Sequence, residues 1–84
     1  MNCILRKKSE DDKQAIYWIY PSDIGVSEEP GIIAIDKKEK RSKVTKEPKA
    51  DEGRNVSLYS GLAYTISYRL IESGRYPEMR AGAW

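Results

Sequence analysis

Two neighbouring segments of this chain are apolar on both of their faces, and no other feature limits its fold as much. Ala15-Ile-Tyr-Trp-Ile-Tyr20 and Gly31-Ile-Ile-Ala-Ile-Asp36 are rich in β-branched and aromatic residues. Such residues fit a pleated, packed surface, so both segments read as strands, at 15–20 and 31–36, the first ended by Pro21. Alternate side chains of a strand point to opposite faces. Ile16, Trp18 and Tyr20 therefore share one face, and Ala15, Tyr17 and Ile19 the other. In the second segment Ile33 and Ile35 oppose Ile32, Ala34 and Asp36. A sheet solvated on one side alternates apolar with polar residues. This sheet does not, so both faces call for a cover.

The remaining chain supplies few covers. Residues 3–7 alternate and read as a short strand, and residues 42–46 as an edge strand whose lysines discourage further pairing. After a polar linker the period changes. Tyr59, Leu62, Ala63, Ile66 and Leu70 fall on one helical stripe. The spacing predicts a helix over 56–73, about 27 Å long at the usual rise. Asp51 or Asn55 is expected to cap its start with a side-chain oxygen. Gly74 is expected to end it in a left-handed conformation, and Pro77 to prevent continuation. The expected fold is thus α+β: an antiparallel three- or four-stranded meander with one long C-terminal helix packed on one face.

One helix covers one face. The candidates for the other face are the tail at 74–84, the loop from Ser22 to Pro30, or a second molecule. Tyr76, Met79 and Trp84 would form a clasp if the tail folded back, and this reading simply completes the chain's own core. The sharper reading is an interaction surface, because unexplained apolar area marks contact sites. Its expected residues are Tyr17 and Ile19 on the uncovered face, with Tyr64, Tyr68 and Trp84. Tyr64 and Tyr68 lie with Gly61 and Ile71 on a second helical stripe. They either flank the core with hydroxyls in water or form a contact strip, since tyrosine offers area at low entropic cost. Gly61 disfavours a helix interior, and a close backbone approach would explain it.

The chemistry on offer is thin. Among 84 residues there is no histidine and one cysteine, Cys3. The usual general base at neutral pH and the commonest metal ligand are therefore missing. The same count excludes an internal disulfide and argues against a zinc site. Asp11-Asp12, Glu28-Glu29 and Asp51-Glu52 pair carboxylates, but all three sit in expected turns, where adjacent acids are normally just solvated. Catalytic pairs need a shaped, partly dry site that separates their pKa values. Neither a dinucleotide-binding nor a P-loop glycine pattern occurs. No catalytic residue, metal site or cofactor is expected, and an enzyme is not.

The net charge of +2 is too small to specify a polyanionic partner by itself. Lysine and arginine are concentrated in residues 37–49, as Lys37, Lys38, Lys40, Arg41, Lys43, Lys46 and Lys49. A basic hairpin can sit on phosphates. This one has no aromatic residue for stacking and no Asn or Gln for base reading. A solvated turn and a protected edge strand account for it better.

The ordering of "IYWIYP", "PGIIAID", a helix, and "GRYPEMRAGAW" resembles a group of small uncharacterised proteins of Gram-positive bacteria. The likeness spans most of the chain and implies no activity and no functional residue. Tyrosines and Gly61 stand where that group's helix is expected to carry His or Phe. The chain is expected to be a single small domain, 1–84, in the cytoplasm, without leader or membrane span. Its expected function is a non-enzymatic protein–protein interaction module whose partner is itself or another bacterial or phage protein. Weak nucleic-acid binding through residues 37–49 is the alternative.

Overall fold

The computed structural model of the chain describes residues 2–21, 29–51 and 58–83. Its elements are β1 (Asn2–Glu10), β2 (Gln14–Pro21), β3 (Gly31–Asp36), β4 (Arg41–Lys46), a 3-10 turn (Lys49–Asp51), α1 (Leu58–Ser73) and β5 (Met79–Ala83). The strands form a five-stranded sheet in the order β4-β3-β2-β1-β5, with every neighbouring pair antiparallel. The fold is α+β with one helix, as the sequence implies, but the strand count is five rather than three or four. The helix is followed by a strand rather than being the last element.

Two aspartates shape the hairpins. In the β1–β2 turn the Asp11 carboxylate accepts hydrogen bonds from the Lys13 and Gln14 N–H groups, at 2.7 and 2.8 Å. These backbone donors hold its carboxyl below the usual carboxylate range. In the β3–β4 turn Asp36 Oδ1 accepts from Lys38 N–H and Glu39 N–H, and Lys40 adopts φ 56° to bring the chain back. Short side chains that bond the backbone two or three residues on are what such turns require.

Beyond β4 the chain crosses one face of the sheet. The Asp51 carboxylate, buried, accepts from the N–H groups of Tyr59 and Ser60 at 3.0 and 2.9 Å. These donors lack intrahelical partners in the first turn, so Asp51 caps α1 from outside the helix. Asn55, the other candidate cap, lies outside the described residues. The stripe Tyr59, Leu62, Ala63, Ile66 and Leu70 is buried against Cys3, Leu5, Ala15, Tyr17, Ile19, Ile33 and Ile35. The helix ends where the glycine predicts: Gly74 has φ +71°, and its N–H donates to the Leu70 carbonyl at 2.9 Å. Among the described residues no helix is long and apolar enough to cross a membrane.

The tail departs from expectation. Residues 79–83 do not fold over the sheet; they extend it, pairing with β1 from Asn2↔Ala83 to Arg6↔Met79. Met79 is exposed, and Trp84 lies outside the described residues. The physical reason is at the edge of the sheet. Without β5, β1 would present a row of unpaired backbone groups, which a strand satisfies and a loose clasp does not.

Candidate functional site

Burial alternates strictly along the central strands and tells the two faces apart. On β2, Ala15, Tyr17, Ile19 and Pro21 are buried, while Ile16, Trp18 and Tyr20 are half-buried. On β3, Gly31, Ile33 and Ile35 are buried, while Ile32 and Ala34 are half-buried. Tyr17 and Ile19 have 0% exposure beneath α1. This corrects the expectation that they lie on the uncovered face: the parity is reversed, and Trp18 stands on the open face, the one that no described helix covers, while most of the loop from Ser22 to Pro30 lies outside the described residues. The Tyr17 hydroxyl donates to the Pro77 carbonyl at 2.7 Å, and burial pushes its ionisation well above the ordinary phenol range.

The open face is built in cross-strand rows. Ala81, Ile4 and Tyr20 form one, and Met79, Arg6, Trp18 and Ile32 the next. Ile16, Ala34 and Lys43 form a third, with Ser9 opposite Ile16, and Gln14, Asp36 and Arg41 a polar fourth. Among the described residues no helix crosses these rows. A bulge between Lys7 and Ser9 frees Lys8 from the register, and its ammonium lies 5.4 Å from the centre of the Trp18 ring. That is a cation–π contact on the open side. A shallow depression among Gln14, Ala34, Asp36, Arg41 and Lys43 marks the polar end.

The other expected surface residues lie elsewhere. Tyr64 is half-buried on the helix, and its hydroxyl oxygen accepts the Val44 N–H at 2.9 Å. It thereby closes a backbone group on the outer edge of β4. Nearby, Ser67 donates to the Tyr64 carbonyl, which leaves Ser42 as the donor in the 2.7 Å Ser42–Ser67 hydroxyl contact. Tyr68 is exposed on the helix at 46%. Tyr17, Ile19, Tyr64 and Tyr68 therefore share no single exposed surface.

The basic run is also divided. Lys37 pairs with Glu10 at 2.5 Å, donates to the Asp11 carbonyl, and sits 5.0 Å from the centre of the Tyr76 ring. The Lys37 hydrogen bond, followed by that of Lys7, holds the Glu10 carboxyl below its ordinary range. Lys46 pairs with Glu29 and lowers its carboxyl in the same way. Lys38 and Lys40 occupy the turn, while Arg41 and Lys43 stand on β4. Three of the four described carboxylates in the acidic pairs have structural surroundings: Asp11 shapes a turn, Glu29 holds Lys46, and Asp51 caps the helix, while Asp12 is exposed in the β1–β2 turn. Glu28 and Glu52 lie outside the described residues. No group of three metal-ligating side chains occurs among the described residues.

The sequence did carry a signal for the correct face. The helix-facing parity includes the small residues Cys3, Ala15, Gly31 and Gly82. A Cβ on Gly82 would lie 2.7 Å from Ile66 Cδ1, and one on Gly31 2.6 Å from the Lys46 carbonyl oxygen. Small residues mark where a helix or a crossing chain comes close.

Comparisons with family models, with curated proteins and with solved structures find no match for this chain.

Proposed function

We propose that this chain is a non-enzymatic protein–protein interaction module that works through the open face of its sheet. The observation that carries the reading is the set Ile4, Ile16, Trp18, Tyr20, Ile32 and Ala34, six apolar residues on one side of three adjacent strands, with the only described helix on the other side. Apolar area of this kind gains free energy by leaving water, at about 25 cal/mol per Å². The aromatic pair Trp18 and Tyr20, on the middle strand of the three, is of the type that dominates binding energy at protein interfaces.

Weak nucleic-acid binding through residues 37–49 draws less support. Lys37 and Lys46 are occupied by carboxylates, so the run does not present a continuous cationic ridge.

Site-specific photo-crosslinking in cells tests the proposal. A photoreactive amino acid replacing Trp18 or Tyr20 is expected to capture a second polypeptide, and one replacing Tyr68 on the far side is not. Adducts confined to the same molecule, or equal capture from both faces, overturn it.

A further inference from the structure

We propose, resting on the interaction reading above, that the open face takes an acidic amphipathic helix of another protein, laid along β2 and β3. The apolar strip Ile16, Trp18, Ile32 and Ala34 is bordered on both sides by cations. Arg6 and Lys8 stand on β1, and Arg41 and Lys43 on β4; all four are exposed, and none makes an ion pair among the described residues. Among the described residues in register on this face, Asp36 contributes a carboxylate whose Oδ1 is engaged by two backbone N–H groups, and Lys46, opposite Ile32, is already paired with Glu29.

The dimensions fit. β1 and β4 are three strand spacings apart, about 14 Å. A helix with its side chains is about 10–12 Å across. Seated over β2 and β3, such a helix buries its apolar stripe on the strip and brings its flanks to the two cationic borders. Asp and Glu on those flanks would complement them, and charge complementarity across an interface sets partner choice and encounter rate.

The same borders argue against a second copy. A two-fold contact sets a patch against itself, so cations would face cations. They also argue less for single-stranded nucleic acid than their charge suggests. Base stacking needs open aromatic faces. The middle of the strip is aliphatic at Ile16, Ile32 and Ala34, and the Lys8 ammonium already lies over the Trp18 ring.

The test uses the full chain and synthetic probes: a helical peptide with a leucine stripe flanked by glutamates, its counterpart with lysines in place of the glutamates, and oligo-dT. Titration calorimetry reads binding, and sedimentation reads the state of the protein alone. The glutamate peptide is expected to bind about tenfold or more tightly than the lysine peptide, with the difference shrinking as salt rises. Arg6→Glu and Lys43→Glu, made singly and together with folding checked by circular dichroism, are expected to erase or reverse the preference. Equal binding of the two peptides, a preference for lysine flanks, or no binding of either overturns the helix proposal. If neither peptide binds but the protein sediments as a dimer that Trp18→Ala converts to monomer, the interaction reading survives with a different occupant. If neither binds, the protein is monomeric, and only oligo-dT associates or nothing does, both readings fall.

Discussion

Gly31 and Gly82 show how much a single missing methyl group decides. Both are on the helix-facing side of the sheet, and both would clash if given a Cβ, but against different obstacles. At Gly82 the obstacle is the end of the Ile66 side chain, which can change rotamer. At Gly31 it is backbone, the carbonyl of Lys46 and the ring nitrogen of Pro48, both at 2.6 Å. Gly31→Ala is therefore expected to cost about 1–3 kcal/mol, as overpacking typically does, and Gly82→Ala clearly less. Urea unfolding of the two variants checks the order; equal losses would show that the crossing chain after β4 yields as easily as a side chain. Alternation alone separates Tyr17 from Trp18 but does not say which of them faces the helix.

The helix was legible in its stripe, its stop at Gly74 and one of its two expected caps. Asp51 lies well upstream of the first helical residue and reaches the free N–H groups of Tyr59 and Ser60. Asp51→Ala is expected to cost about 1–2 kcal/mol, the upper part of the range for lost caps, because the orphaned donors are buried. Thermal melts followed by circular dichroism measure it, and a change within error would mean that other groups satisfy those donors. The four strands of the meander were legible to within a few residues at each end. The fifth was not, because Met-Arg-Ala-Gly-Ala has no strong strand preference and takes its conformation from the free edge of β1. Strand alternation by itself did not name the face chosen by α1; the small residues Cys3, Ala15, Gly31 and Gly82 were its only mark in the sequence. β4 and β5 run in the same direction, so α1 makes a crossover between parallel strands, and the chirality of such crossovers selects the face only once strand order is known.

For the molecule as a whole, acid stability follows from three exposed carboxylates. Glu10, Asp11 and Glu29 are each held below their ordinary range, by Lys37 and Lys7, by backbone N–H groups, and by Lys46. A group whose pKa is lower folded than unfolded stabilises the fold above its unfolded pKa and loses that contribution as pH falls through the folded value. The thermal midpoint is accordingly expected to stay level near neutrality and to decline below pH ~4, the ordinary carboxylate range. Glu10→Gln is expected to flatten the decline. An unchanged acid limb in that variant would show that the Lys7–Glu10–Lys37 contacts do not survive in solution, as surface pairs often do not.

The pairing of β1 with β5 places Asn2 directly across from Ala83. A pulling force applied at these two residues loads the ladder from its end, one pair of backbone bonds at a time. The sheet then unzips rather than shears, and a molecule tethered at both of these points yields at low tension.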